Sequence, residues 1–164
     1  MENEKNIEEL LKSKHGKDEY PPMHTAEHLL NQTMVRMFGC GRSENAHIER
    51  KKSKISFSLA SCPTDAQVSE IEERMNELIK EDLPVCAKIM KIDEVPTNLS
   101  LDRMPDGNDF VRVVTIGNYD ICPCAGSHVG RTSEIGKFIL LGTNWYPEEN
   151  RFRIRFKLEK PKTE

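Results

Sequence analysis

The chain has 164 residues with an apolar content of 37%, which suits one compact core rather than several domains. No segment approaches the roughly 20 apolar residues of a membrane span, and the charged N-terminus lacks the pattern of a signal peptide. We therefore expect a cytoplasmic protein that does not enter a membrane.

The charges and cysteines narrow the classes of partner. The net charge is -3, so the whole molecule does not attract polyanions, and no DNA partner is expected. Five scattered cysteines do not form a secreted disulfide framework, which leaves thiols for metal binding. Two local basic clusters suit either a phosphate-bearing ligand or a solvated strand face: Arg50, Lys51, Lys52 and Lys54, then Arg151, Arg153, Arg155 and Lys157.

The first half of the chain reads as helices around one strand. A short amphipathic helix is predicted from Asn6 to Lys14, and a longer buried helix from Met23 to Phe38. The segment His47 to Leu59 alternates apolar and polar residues like a half-buried strand. Thr64 and Gln67 form a capping box for a second main helix, which ends near Asp82.

The second half reads mainly as strands. Val85 to Ile92 and Phe110 to Ile116 are predicted strands, and Lys137 to Trp145 forms a hairpin with Arg151 to Leu158. Helices mixed with mostly antiparallel strands predict an α+β fold, in which a sheet packs with two main helices in one domain. We place that domain at residues 21–160, after an N-terminal helical extension at residues 1–20.

Four residues form a candidate metal site. His24 and His28 are four residues apart in a predicted helix, so both imidazoles project from one face. Cys124 and His128 have the same spacing in a turn that contains Gly126. Zinc suits a His3Cys set better than magnesium or calcium, which prefer oxygen. The zinc-protease signature is absent because Thr25, not Glu, follows the first histidine.

The spacing leaves the state of this site open. Four protein ligands would close the zinc in a structural site, whereas a detached imidazole would leave one position for water or substrate. Cys122 is a weaker candidate ligand. Glu27 could act as a general base if its side chain reached the pocket, but it directly precedes a ligand, so we expect it to point elsewhere on the helix and to lie at the surface.

The motifs resemble a known family. The run from His24 to Leu30, the run from Cys124 to Val129 and the Thr-x-Glu-Ile-Gly segment at Thr132–Gly136 are similar to the editing domain of alanyl-tRNA synthetase. Its freestanding AlaX-type relatives and the editing domain of threonyl-tRNA synthetase share the pattern. The resemblance implies an editing-domain fold and a zinc-dependent hydrolase that deacylates mischarged tRNA, chiefly Ser- or Gly-tRNA(Ala). Such a second hydrolytic site is needed because small side chains differ too little in binding energy for one site to separate them.

Three further residues enter the predicted catalytic site. Thr25 and Ser127 are placed as polar groups of the pocket, with a capping or turn role as the alternative for each. Glu134 is placed as the carboxylate that orients a ligand histidine, with a surface carboxylate as the alternative. Zinc would hold the aminoacyl amine or polarise the ester while a water attacks the carbonyl. The chain departs from the family's usual Cys-Gly-Gly-Thr-His at Ala125 and Ser127, which bears on substrate preference.

Two rival functions fit the same residues. In the first, zinc only stabilises an RNA-binding module without hydrolytic activity. In the second, the protein is a zinc esterase for a small molecule unrelated to tRNA. Oligomeric state, general base and cognate tRNA do not follow from the sequence.

Overall fold

The computed structural model describes residues 20–95 and 109–160. The predicted helix from Asn6 to Lys14 lies outside the described residues. None of the helices within them combines the length and apolar character needed to cross a membrane.

Both predicted main helices are confirmed. Helix α1 spans Pro21–Phe38, begins with proline in its first turn and ends at Gly39, whose left-handed backbone lets its N–H reach Val35 O. Helix α2 spans Asp65–Lys80 and begins with the predicted capping box of Thr64 and Gln67.

Within residues 20–95 and 109–160, seven strands, all paired antiparallel, form two sheets. The four-stranded sheet has the order β1-β2-β7-β6, and the three-stranded sheet the order β3-β4-β5. The strands are β1 Asn45–His47, β2 Ser53–Ser58, β3 Val85–Lys91, β4 Phe110–Ile116, β5 Asp120–Pro123, β6 Lys137–Tyr146 and β7 Arg151–Glu159. The α+β class with antiparallel pairing is confirmed, but the sheet is divided in two. The single strand predicted from His47 to Leu59 is divided into β1 and β2, which are separated by a turn. Strand β5 is not predicted because its four residues show no apolar alternation.

The main core lies between the helices and one face of the four-stranded sheet. Alternate residues of β2 and β7 point inward, among them Phe57, Phe152 and Phe156, and pack in one cluster with Leu29 and Leu30 of α1. The helix that carries two candidate ligands is therefore held rigidly on the inner side of this sheet.

Helix α2 is fastened to the edge strand β6. Asn76 donates its amide to Phe138 O at 3.0 Å and accepts from Phe138 N at 2.9 Å. Glu72 accepts from Leu140 N at 2.7 Å. These side chains bind backbone groups that an edge strand would otherwise present to solvent.

The loop after His128 is anchored to the end of α2. Thr132, fully buried, donates its hydroxyl to Leu78 O and accepts from Leu83 N, both at 2.8 Å. Val85 N donates to Gly130 O at 2.9 Å, which ties the same loop to β3. The segment that carries His128 thus has a fixed path.

Pairing of β2 with β7 brings four residues of the two basic clusters onto one surface. Lys54 lies opposite Arg155, and Ser56 opposite Arg153, on the outer face of the four-stranded sheet. We call Lys54, Arg151, Arg153 and Arg155 the basic sheet face. Arg50 is not part of it, because its guanidinium lies over the Tyr20 ring at 4.7 Å.

Candidate metal centre

The four predicted ligands converge in space. His24 and His28 lie on successive turns of α1, whereas Cys124 and His128 come from the loop that follows β5. Their ligand atoms all lie within 4.8 Å of one another. Residues about a hundred positions apart thus form one His3Cys cluster.

The cluster has the dimensions of a tetrahedral metal site. Cys124 Sγ lies 3.5 Å from His24 Nε2 and 3.5 Å from His128 Nε2. Zinc bonds of about 2.3 Å to sulfur and about 2.0 Å to nitrogen at tetrahedral angles require an S···N separation of roughly 3.6 Å. The donor set can therefore hold a metal ion of this class with little movement of the side chains.

Hydrogen bonds to Nδ1 orient two of the rings. His24 Nδ1 donates to the backbone carbonyl of Ser127 at 3.0 Å, which leaves the Nε2 lone pair for a metal. His128 Nδ1 lies 2.9 Å from Thr25 Oγ1, which also accepts from Val129 N at 3.2 Å. Thr25 is completely buried, so its hydroxyl fixes the position of His128. Ser127 contacts the cluster through its backbone carbonyl, which accepts the hydrogen bond from His24 Nδ1.

The third ring faces a carboxylate that sequence reasoning missed. His28 is 4% exposed, and its Nδ1 lies 3.8 Å from Asp120 Oδ2, with no hydrogen-bond partner among the described residues. Asp120 is held by Arg42 at 2.7 Å and Gln32 at 3.1 Å. A small inward shift would complete a carboxylate–histidine pair when His28 binds a metal. Asp120 begins the unpredicted strand β5, so no sequence signal pointed to it.

An arginine clamps the loop that presents Cys124. Arg112 of β4 donates to Cys124 O at 2.6 Å and Gly126 O at 3.0 Å. The N–H of Gly126 donates to Cys124 Sγ at 3.4 Å, which holds the sulfur inside the turn. The loop is thereby bent so that thiol and imidazole point the same way.

The structure gives Glu134 a role other than the predicted one. Its exposed carboxylate accepts from Gly130 N at 2.7 Å and Arg131 N at 2.9 Å. These bonds close the turn at Thr132–Ile135 instead of orienting an imidazole. Glu134 binds the backbone of its own turn because a carboxylate caps nearby N–H groups at low entropic cost.

The expectation for Glu27 is wrong. Its Oε2 lies 3.9 Å from His24 Nε2, the nitrogen that faces Cys124 Sγ. Although Glu27 is adjacent to His28, it is three residues from His24, and side chains at that spacing meet on a helix surface. A partly exposed carboxylate therefore stands beside the metal-binding atoms.

Burial keeps two imidazoles neutral, as ligands must be. Burial and the charge of His24 lower the pKa of His128 to about 3. Burial and the charges of His128 and His24 lower the pKa of His28 well below its ordinary value. Burial alone would also lower the pKa of His24, but the hydrogen bond and charge of Cys124 raise it overall. Of the three imidazoles in the cluster, His24 is therefore the one that accepts a proton most readily.

Cys122 lies outside the cluster. Burial raises the pKa of its thiol to about 11, so it stays protonated near neutral pH. Its Sγ contacts Pro123 O at 3.4 Å. The weaker candidate is thus not brought to the four ligand atoms.

Comparison with known families gives one match. Residues 111–155, which include Cys124 and His128, match the family described as the threonyl and alanyl tRNA synthetase second additional domain. The match begins in β4 and ends in β7, so it covers both the ligand loop and the hairpin.

Curated relatives extend the similarity toward the N-terminus. The chain is 31% identical over 119 residues to an alanine–tRNA ligase of Treponema denticola and 37% identical over 117 residues to that of Oceanobacillus iheyensis. A ligase of Pseudoalteromonas translucida is 31% identical over 117 residues. These matches cover 70% or 71% of this chain but only 13% to 20% of the relatives. The similarity is thus to one part of a much longer enzyme.

Replacing Thr25 by Val tests the support of His128. Because Thr25 is buried, Thr25→Val leaves both His128 Nδ1 and Val129 N without a partner. We expect zinc affinity to fall by about 10- to 100-fold. Competition with a chromophoric chelator measures it. Thr25→Ser should retain the affinity, and Thr33→Val, which removes another buried hydroxyl of α1, is the matched control. Equal affinities in Thr25→Val and Thr33→Val would contradict this role.

Acid should destabilise the metal-free protein. Unfolded His128 titrates near its ordinary value of 6.5, whereas the folded pKa is about 3, so unfolding takes up protons between these values. The contribution of the neutral His128 imidazole to the free energy of unfolding is therefore fully present above about pH 6.5 and is lost as the pH falls. At about pH 5 the loss from His128 alone is about 2 kcal/mol; His28 adds to it and His24 opposes it.

Chemical denaturation with a chelator present measures this dependence. The free energy of unfolding should decrease from about pH 7.5 to about pH 5, and His128→Gln should flatten the decrease. A wild-type profile as flat as that of the variant would show that the imidazole is not held neutral by the fold.

Proposed function

Because the chain belongs to the editing-domain superfamily represented by the second additional domain of threonyl- and alanyl-tRNA synthetases, we propose that it hydrolyses mischarged tRNA. The substrate proposed is Ser- or Gly-tRNA(Ala), as in the AlaX-type proteins that its motifs resemble. The carrying observation is the convergence of the four ligand atoms of His24, His28, Cys124 and His128 within 4.8 Å of one another, with Glu27 beside them.

Zinc is the metal proposed for the cluster. His24, His28, Cys124 and His128 would hold it, since nitrogen and thiolate donors suit zinc better than oxygen-seeking cations. When bound, zinc supplies Lewis acidity and a fixed point for the aminoacyl group. The imidazoles that remain neutral at pH 7 fit this use, because protonated ligands would compete with the ion.

The surrounding residues have distinct tasks in this proposal. The Glu27 carboxylate takes the proton of the attacking water, whose oxygen bonds to the ester carbonyl carbon. The bond between that carbon and the ribose oxygen then breaks, and the proton is returned to the ribose oxygen. Thr25 and the Ser127 carbonyl keep the rings of His128 and His24 in place throughout. The free amino acid and intact tRNA leave.

The deacylation of a substrate panel tests the activity. We expect zinc-loaded protein to release serine or glycine from tRNA(Ala) and to spare Ala-tRNA(Ala). Cys124→Ala should lose both zinc and hydrolysis, because it removes the sulfur ligand. Cys86→Ala, at an exposed position of β3, is the matched control and should keep both.

The panel also separates the rival functions. No hydrolysis by protein with one zinc bound, with tRNA binding retained, would favour an RNA-binding module. Equal turnover of mischarged tRNA(Ala), mischarged tRNA(Thr) and a small amino-acid ester would favour a general esterase. Either result would overturn the proposal.

Substitution of Glu27 tests the proton transfer. Glu27→Gln removes the base without adding bulk, so kcat should fall by about 10²- to 10⁴-fold. Zinc content should stay at the wild-type level, because Glu27 is not among the four ligands. Glu73→Gln, at an exposed position of α2, is the control. An unchanged kcat in Glu27→Gln would show that another group accepts the proton.

A further inference from the structure

Rows of side chains cross the outer face of the four-stranded sheet. In one row, His47, Lys54, Arg155 and Gly142 lie side by side on β1, β2, β7 and β6. In the next row, Asn45, Ser56, Arg153 and Asn144 do the same. The register therefore gathers cations from separate segments of sequence on one surface.

Two of these cations oppose each other directly. Lys54 and Arg155 form a cross-strand pair, and like charges at that spacing repel. Both side chains are exposed, so solvent reduces the repulsion but leaves a positive potential. An anion laid along the sheet would relieve it.

The face carries two open depressions. They lie next to each other and share Lys54 and Arg153 in their walls. None of the side chains that line either depression is acidic. On a protein of net charge -3, this is a marked local excess of positive charge.

The guanidinium groups are held in position before any ligand arrives. Arg151 and Arg153 lie over the Tyr146 ring at 4.3 and 5.5 Å, and Arg153 donates to Asn144 Oδ1 at 3.3 Å. Gly142 lets Arg155 cross β6, since a Cβ there would lie 2.5 Å from its Nη2. Arg151 is partly neutralised by Glu149, 2.9 Å from its Nε. Arg153 and Arg155 are thus the principal anion-binding groups.

We propose that the basic sheet face binds the phosphodiester backbone of the tRNA whose ester is hydrolysed at the metal centre. This inference rests on the proposed function, which supplies the RNA. Positively charged surfaces with preset guanidiniums suit phosphates. The ring of Tyr146 lies on this face, but Arg151 and Arg153 cover it. We therefore do not expect the face to bind by stacking on bases.

The basic sheet face and the metal centre lie on different surfaces. Helix α1, with its ligand histidines, packs on the inner side of the sheet, and the core separates it from the outer side. A ligand that reaches both must be longer than one nucleotide. The face therefore contributes affinity for the body of the tRNA and leaves the chemistry at its 3′ end unchanged.

Salt-dependent binding of uncharged tRNA(Ala) tests this surface. The variant Arg153→Gln/Arg155→Gln is compared with Lys80→Gln/Lys88→Gln, which removes the same charge from α2 and β3. Fluorescence anisotropy measures affinity over about 50 to 200 mM salt. The arginine variant should bind about tenfold more weakly at low salt, and its slope of log K against log salt should be shallower by about one to two. Arg153→Lys/Arg155→Lys should restore most of the slope, because lysine also pairs with phosphate.

A second substrate separates this proposal from the proposed function. On 3′-aminoacyl-adenosine, which lacks the tRNA body, the arginine variant should match the wild-type kcat/KM within about twofold. On mischarged tRNA its KM should rise while kcat is kept. Absence of hydrolysis on both substrates overturns the proposed function. The salt slopes of tRNA binding then still show whether the basic sheet face binds tRNA. Two results would contradict tRNA binding by the basic sheet face. One is an equal salt slope for the arginine variant and the wild type, and the other is an equal loss of affinity in Lys80→Gln/Lys88→Gln.

Discussion

The docking of one loop against one helix turn holds the metal centre together. His24 Nδ1 reaches the Ser127 carbonyl, and Thr25 Oγ1 meets both His128 Nδ1 and Val129 N, all at 2.9 to 3.2 Å. These contacts join residues more than a hundred positions apart. Thr132 and Arg112 fix the same loop from its two ends, so protein contacts bring the four candidate ligands together.

This preorganisation has an electrostatic cost. Three imidazoles lie with ring centroids 4.2 to 5.0 Å apart, two of them depressed in pKa by burial and mutual repulsion. In the metal-free state such a group of rings resists protonation and weakens the fold in acid. The same neutrality leaves nitrogen lone pairs for a cation, so the weakening of the fold in acid and the capacity to bind a metal have one physical origin.

Two surfaces then divide the proposed work. The metal centre lies between α1 and the loop after β5, where burial and few directed bonds set the geometry of a small reactive group. The basic sheet face is open and charged, and its contacts would be many, weak and sensitive to salt. The four-stranded sheet connects them because alternate residues of β2 and β7 face the core and solvent in turn.

The sequence by itself identified the four candidate ligands and most of the elements. Spacing of four residues identifies His24 with His28 and Cys124 with His128, and periodicity locates both helices and five of the seven strands near their observed bounds. Such features are local, because helix geometry and strand alternation depend on neighbours within a few residues. The capping box of Thr64 and Gln67 is predicted for the same reason.

Only the tertiary structure decided the surroundings of those ligands. Asp120 beside His28 and Thr25 under His128 depend on how α1 meets the loop, which no local pattern encodes. Glu27 beside His24 follows instead from their three-residue spacing on α1. Glu134 capped its own turn instead, because a nearby amide competes well with a distant ring. The basic sheet face likewise arises from strand register, since cross-strand neighbours are set by pairing and not by position along the chain.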